Sequence, residues 1–570
     1  MKKRIFRIIG VICAAVLFMC GCKGGNTQSS TVDKNSEEYI KALKAARTTP
    51  YGKYPEKVVY TLGKLIGTNN SNLPEGDTYE NNAYTRFLSE MLNIQNEDVF
   101  EEMDKAYESN VNMAIQMGTM PDIMVVNSVD ELQLLVEYDM IADLTDAFSY
   151  CLTDTIKQMY QSYGDAIIDG VTFDGKIMAI PETNIEDGPN LIWLRTDWMD
   201  KLGLSEPRTL KDVEYIVEQF VTRDPGDNGP GQTVGIVCDP SLCGGCGYSS
   251  EYLLDIVFAS CDAYPKQWIY DGNGNVCYGS VQPEAKAALA KIRDMFEQNI
   301  LDNNFLLRTT SNIIDLVEGG QCGSFFGPWW APNNPLMEAI AADPDARWAP
   351  FLIATKDDGS TSCYSQNPTY KYVVVRKGFE YPEIACKIVS VLFDYIRYNE
   401  GDNDECKKYY QLNVDPTARP LAINVDYNNA LMLCFDEIKA ALEGEKNPDE
   451  LLILEKAYYE ACKSYLDDPD SATPEEWAAY TSRITACEIL KKADINVVQS
   501  LFFGHTKTMI ESFDELLDME TQIYLKIVTG ELSVDAFDDF VAEWYEKGGT
   551  QITKEVSEAI QKAGGNDENR

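Results

Sequence analysis

The segment Gly175-Lys176-Ile177-Met178-Ala179-Ile180-Pro181, followed after a polar interval by Asn190-Leu191-Ile192-Trp193-Leu194-Arg195-Thr196-Asp197-Trp198-Met199-Asp200-Lys201-Leu202-Gly203, decides the architecture. Two short apolar runs read as strands, the first closed by a proline and the second passing at once into a helix. The same alternation extends outward. Val58-Val59-Tyr60-Thr61-Leu62 and Asp122-Ile123-Met124-Val125-Val126 are predicted strands upstream with helices between them, and residues 234–237 and 372–375 are predicted strands downstream. Ala385, Ile388, Val389, Leu392 and Ile396 follow helical spacing, as do Phe537, Phe540, Val541 and Trp544, and the last third is predicted almost wholly helical. This alternation argues for an α/β fold with parallel-rich sheets flanked by helices. Ligands of open α/β sheets bind beyond the carboxyl ends of strands, so the loops there are where a site is sought.

The chain has 570 residues, 45% of them hydrophobic, which suits two or more structural units with substantial cores. It carries 91 Asp and Glu against 49 Lys and Arg, a formal charge of −42. A surface this negative repels phosphate backbones and argues against a nucleic-acid partner. The single histidine, His505, rules out HExxH zinc sites and His-rich metal clusters. In Phe502-Phe503-Gly504-His505-Thr506 it has no serine or cysteine motif beside it and reads as an ordinary surface or helix-end residue. Glu101-Glu102 and Asp538-Asp539 read as exposed helix faces rather than acid/base pairs. No catalytic residue, metal or cofactor is assigned.

The N-terminus reads as an address. Lys2, Lys3, Arg4 and Arg7 precede an apolar run over 8–19, too short to span a bilayer and right for a secretory signal. Met19-Cys20-Gly21-Cys22 resembles a bacterial lipobox, with Cys22 as the lipidated residue that becomes the new N-terminus. Residues 1–21 are then the signal peptide, and 22–50 a flexible tether. Two acyl chains on one residue hold a protein stably at a membrane. After Cys13, Cys20 and Cys22, 13 cysteines remain, scattered without regular spacing. Cys386, Cys434, Cys462 and Cys487 fall in apolar helical contexts, where cysteine is a small hydrophobe. Cys243-Gly244-Gly245-Cys246 is a lone CxxC, read as a loop disulfide more readily than as a zinc or redox site.

Beyond the opening segment, Pro207-Arg208-Thr209-Leu210, a helix ending at Phe220, Asp224-Pro225-Gly226-Asp227-Asn228-Gly229, Gly323-Ser324-Phe325-Phe326-Gly327-Pro328-Trp329-Trp330 and Trp348-Ala349-Pro350 follow in order. With the lipobox, this series resembles the family 1 extracellular solute-binding proteins, the lipoprotein receptors of carbohydrate ABC importers, in their longer oligosaccharide-binding subgroup. The resemblance covers roughly residues 55–560. It implies a two-lobed α/β "Venus flytrap" with a largely helical C-terminal third. Lobe one would comprise 51–180 with 361–430, and lobe two 181–360 with 431–570, with crossings near 180–184 and 353–360. The helical tail would pack mainly on lobe two. The implied function is that of a monomeric, lipid-anchored receptor on the extracellular face of the cell membrane. It captures an oligosaccharide between its lobes and delivers it to ABC permease subunits, without catalysis. A peptide-binding or sensory lipoprotein, and a secreted glycoside hydrolase or lyase, are the alternatives.

A sugar offers apolar C–H faces and a rim of hydroxyls, so its cleft wants aromatic faces beside amides, carboxylates and arginine. Trp329 and Trp330, on a Gly-Pro turn after a strand, are the stacking candidates, and the resemblance places Trp329 at the family's sugar-contacting tryptophan. Asn82 and Tyr84 precede a helix, where Asn82 reads equally as an N-cap. Asn127 follows the strand ending at Val126; Glu182 and Asn184 sit at the first crossing. Arg195 ends a strand, as a ligand contact or a salt-bridge partner. Asp197 reads as a helix cap and Trp198 as core. The 224–230 segment resembles a calcium loop, but Gly226 and Gly235 stand where oxygen ligands belong, so it reads as a simple turn.

Overall fold

The computed structural model describes residues 33–67, 72–245, 251–365, 367–398, 403–412 and 414–567. The signal segment, Cys22 and Cys246 lie outside these.

Two sheets organise the chain. The first has five strands, in the order Ile94–Glu102, Val58–Leu65, Ile123–Val126, Tyr372–Val375 and Ile180–Pro181. The first three run parallel, whereas Tyr372–Val375 pairs antiparallel with both its neighbours. Two central strands, Ile123–Val126 and Tyr372–Val375, are buried on both faces and are almost wholly Ile, Met and Val, as a covered sheet requires. Ile94–Glu102 is the element that was not foreseen. Glu97 and Glu101 at exposed positions, with Asp98 and Glu102 beside them, interrupt the strand pattern and guard an open edge. Glu101 and Glu102 lie on this strand and not on a helix.

The second sheet has three strands with Leu191–Arg195 at its centre, paired antiparallel with Ser324–Gly327 and Trp348–Phe351. It is therefore not the parallel sheet that alternation suggested. Residues 234–237 form only isolated bridges, Val234 to Cys322 and Ile236 to Leu301. At Gly235 a Cβ would stand 2.2 Å from the Ile300 carbonyl oxygen, so the chain presses too closely on its neighbour for a side chain there. The predicted strand at 176–180 is split, with Lys176–Ile177 closing a hairpin and Ile180–Pro181 joining the first sheet.

Three apolar clusters follow. One surrounds the first sheet and draws on residues between 46 and 180 and again between 372 and 425. The other two lie on opposite faces of the second sheet. Trp193 packs with Trp329, Leu431 and Cys487 on one side, and Ile192 with Trp198, Phe220 and Phe540 on the other. The predicted helical positions Ala385, Ile388, Val389, Leu392 and Ile396 are all buried, as are Phe537, Phe540 and Trp544. The described body cysteines are free thiols, and most are buried among apolar side chains; Cys243 is one of them.

The helical tail covers the second sheet, but one helix also reaches back. In Ile453–Asp467, Ile453 packs against the first cluster and Cys462 belongs to the third. Glu455 on this helix takes both Arg397 terminal nitrogens, at 2.8 and 2.6 Å, and both residues are buried. Removing one member of such a pair strands a buried charge, so Glu455→Gln is expected to cost about 3–5 kcal/mol in urea unfolding.

A second buried acid has no cation within ion-pair distance among the described residues, and Lys266 lowers it only from farther off. Glu520 accepts a hydrogen bond from Ser280 at 2.9 Å, its other oxygen has no partner, and burial pushes the carboxyl up to about 7. A carboxyl raised above its unfolded value favours the native state when protonated, and that contribution is lost as pH rises through the native value. Stability is therefore expected to fall between pH 5 and pH 8. Glu520→Gln should flatten this dependence by about 2–3 kcal/mol, read from urea midpoints across that range.

Candidate functional site

Three stretches of chain run side by side between the cores. The central one holds 182–186. On one flank Glu182 N–H donates to the Lys371 carbonyl at 2.8 Å and Asn184 N–H to that of Pro368 at 2.9 Å. On the other, Thr183 N–H donates to the Asn424 carbonyl at 2.8 Å and Glu186 N–H to that of Asn428 at 2.6 Å, while the Thr183 hydroxyl accepts from Asp426 N–H at 2.8 Å. Each stretch leaves the first cluster and enters the clusters of the second sheet, so together they form a three-stranded hinge. Residues 353–360, expected to cross, instead stay with the second sheet. Ala354 N–H bonds the Arg208 carbonyl, and Thr361–Tyr364 pairs with Ile495–Val498. The passage back to Tyr372 therefore runs later, through 365–371.

At the exit of the hinge, Trp329 projects from the turn after Ser324–Gly327. Its indole N–H donates to Asp187 Oδ1 at 2.9 Å, and the Arg483 guanidinium lies over its ring at 4.5 Å. A buried indole with both its N–H and one face held has a fixed plane. Tyr163 reaches this region from the first core. Burial pushes its phenol up, and the nearby carboxylates of Asp426, Asp187 and Glu186 push the same way. Burial likewise raises Glu186. Trp330 stays half-buried beside Trp329.

The other end of the cleft is aromatic too. A cavity of about 170 Å³ is lined by Trp268, Tyr364, Tyr370, Phe502, Phe503 and His505. His505 Nδ1 stands 3.1 Å from Asp130 Oδ1, joining the loop before one helix of the tail to a helix of the first core. Asn127 lies at the carboxyl end of Ile123–Val126, three residues before Asp130. Its Oδ1 is buried with no hydrogen-bond partner among the described residues. An unsatisfied buried amide at a strand end is what a ligand hydroxyl would complete.

The remaining candidates separate. Asn82 is fully committed: Oδ1 caps the Tyr84 and Thr85 N–H groups, and Nδ2 donates to the carbonyls of Thr78, Tyr79 and Ala418. Tyr84 is buried edge-on against Tyr409. Arg195 gives Nε and Nη2 to Asp197 at 2.8 Å each and reaches Asp343 at 3.3 Å, beside the Trp198 ring. These three are structural: the Asn82 amide and the Arg195 fork are already used, and the Tyr84 ring is enclosed in the core. Asp197 holds Arg195 and the Arg347 N–H rather than a helix N-terminus, and Trp198 is core. Glu182 pairs with Lys371 at 3.2 Å, and the Asn184 side chain bonds the Asn367 carbonyl at 2.9 Å, so both stitch the hinge together. The 224–230 turn closes on itself, since Asp224 accepts from Asn228 N–H, Gly229 N–H and the Thr233 hydroxyl. Among the described residues no cluster of potential metal ligands occurs.

Asp187, Tyr163, Arg483 and the Phe502-Phe503 pair were not anticipated. Phe502-Phe503 before Gly504 carries the signal that singled out Trp329-Trp330, an aromatic pair at a turn; Arg483 carries none.

No family model matches the chain. The polygalacturonan/rhamnogalacturonan-binding protein YtcQ of Bacillus subtilis (strain 168) is 20% identical over 466 residues, 81% of this chain and 84% of that protein. Lipoprotein LipO of the same organism is 21% identical over 465 residues, 80% and 85% of the two chains. Among solved structures, the S. pneumoniae ABC-transporter substrate-binding protein FusA in complex with kestose superposes with a TM-score of 0.60 at 14% identity, over 89% of this chain and 100% of that one. Over most of its length the chain is thus similar to binding proteins of this kind, and it shares the fold of an ABC-transporter substrate-binding protein. Its fold is the two-lobed, periplasmic-binding-protein type, built on the five-stranded and the three-stranded sheet, with three two-stranded pairs beside them among the described residues.

The assignment of Asn82 as a cap has a measurable consequence. Asn82→Ala is expected to lower stability by about 1–2 kcal/mol in urea unfolding, by loss of the cap and of the bonds its amide makes.

Proposed function

We propose that this chain is an extracellular receptor, lipid-anchored through Cys22, that captures an oligosaccharide between its lobes and delivers it to the permease of an ABC transporter. It acts as a monomer and performs no chemistry on its ligand. Lobe one comprises 51–180 and about 372–425; lobe two comprises about 187–364 and 431–567; the three stretches between them are the hinge. The observation that carries this reading is Trp329, its indole N–H held by Asp187 where the hinge enters lobe two, the same carboxylate that acts on the Tyr163 phenol of lobe one. Trp329 itself is nearly enclosed, so the half-buried Trp330 beside it offers the face on which a pyranose stacks, and closure then brings hydroxyl-bonding groups from the other lobe. Asn127 supplies such a group from lobe one, and Trp330 extends the aromatic surface.

The saccharide names of relatives favour a glycan over a peptide: YtcQ is named for polygalacturonan and rhamnogalacturonan, and FusA was solved with kestose. LipO, by name a lipoprotein, supports the anchor.

Titration of intrinsic tryptophan fluorescence with a panel of oligosaccharides and peptides tests the proposal. A saturable change with at least one glycan and with no peptide is expected, as is the absence of newly released reducing ends on prolonged incubation. Trp330→Ala, at a half-buried position, should weaken that glycan about tenfold or more while leaving the fold intact. Response to peptides alone, or cleavage of the glycan, would overturn the proposal.

A further inference from the structure

In a chain with nearly two acids for each base, a buried arginine normally meets a carboxylate. Arg195 meets Asp197, Arg397 meets Glu455, and Arg308 meets Asp302 at 2.7 Å. Arg483 does not. Among the described residues no carboxylate oxygen comes within 4.0 Å of its nitrogens. Its guanidinium lies between two rings, 4.5 Å from the Trp329 centroid and 4.1 Å from that of Tyr458, with the Cys434 thiol 3.9 Å from Nη1. Nε is buried without a partner, although the residue as a whole keeps contact with solvent.

Three features make this an arrangement for a ligand rather than for the fold. Ring faces hold a guanidinium flat without neutralising its in-plane N–H fork, and that fork matches the two oxygens of a carboxylate. The nearby acid Asp187 is taken by the Trp329 indole N–H, so it steadies the ring. Arg483 also lies in a π-helical turn, Thr481–Ala486, within an otherwise α-helical stretch, and such turns redirect side chains and recur at functional sites.

We infer that Arg483 is the anchor for an acidic sugar: its fork binds the carboxylate of a uronate unit whose ring stacks beside Trp329. The inference rests on the receptor reading above and narrows its ligand to glycans that carry carboxylates. Asp187 and Tyr458 are positioning residues, one for the indole and one for the guanidinium.

Isothermal titration of the full-length protein with oligogalacturonate, oligoglucuronate and oligomannuronate, each beside its neutral methyl ester, tests this. At least one acid should bind more tightly than its ester, with the preference weakening as salt rises. Arg483→Gln should lower affinity for that acid about 100-fold or more and abolish the preference, while the ester changes little. Arg483→Lys, which keeps the charge but not the fork, should fall between the two, and Arg347→Gln, removing an exposed arginine that pairs with Asp200, should match the wild type. Thermal unfolding of each variant identifies any that fails to fold, in which case Arg483→Lys carries the comparison. If neutral esters or other neutral glycans bind and no acid is preferred, or if Arg483→Gln retains the preference, the uronate inference is overturned and the receptor reading stands. If no glycan of either kind binds, both fall.

Discussion

The backbone hydrogen bonds of 182–186 hold the molecule together as a machine. This short stretch is bonded on one side to 368–371 and on the other to 424–428. Its side chains add to the same fabric, with Glu182 on Lys371 and Asn184 on the Asn367 carbonyl. Paired main chain can bend about the hinge but not slide, because sliding would orphan buried N–H and C=O groups. Three crossings thus reduce the relative freedom of the lobes to opening and closing. The tail helix Ile453–Asp467 adds a fourth connection through the Arg397–Glu455 pair, placing part of the helical tail in contact with both lobes.

The candidate site groups inherit their position from the 182–186 stretch. Asp187 is one residue beyond the last paired hinge residue and fixes Trp329, so the indole moves with the floor of the cleft as well as with its own strand. On the far side, Asn127 and Asp130 ride on the carboxyl end of a central strand of lobe one and on the helix that follows it. There His505, in the loop before a helix of the tail, meets Asp130 from lobe two. The two ends of the cleft therefore differ: an aromatic and guanidinium cluster at the hinge exit, and an aromatic cavity with the His505–Asp130 contact at the other end.

What the sequence made legible was whatever depended on local pattern. Short apolar runs bounded by polar or turn residues mark strands, and Ile123–Val126, Leu191–Arg195 and Tyr372–Val375 stand where such runs place them, as does the packing face of the helix starting at Ile384. The strand Ile94–Glu102 escaped because an exposed edge is written in charge. The antiparallel second sheet escaped because periodicity carries no information about strand direction. The turn that carries Trp329 was legible from a strand followed by Gly-Pro, and the cap reading of Asn82 from its place before a helix. Arg195 was misleading for a reason the sequence does contain, an aspartate two residues on, which takes its fork. The end of the strand Ile180–Pro181 is marked in sequence by its proline, whereas nothing local marks the pairing of Thr361–Tyr364 with Ile495–Val498.

Arg483 shows the limit of such reading. Thr481-Ser482-Arg483-Ile484 is unremarkable in sequence, and the arginine acquires meaning only from what surrounds it: two rings, a thiol and, among the described residues, no acid within ion-pair reach. The overall charge sharpens the point. Where acids outnumber bases so heavily, pairing a buried arginine requires no special arrangement, yet among the described residues Arg483 and Arg419 both rest on rings without a carboxylate partner. The protein surrounds the Arg483 guanidinium with groups that tolerate its charge but do not neutralise it, and diverts a nearby carboxylate to an indole. A strongly negative exterior and a positive point inside the cleft are compatible, because salt screens the first over a Debye length while the enclosed site is screened much less. Net charge therefore describes the surface of this protein, and the chemistry of its cleft has to be read from the individual groups that line it.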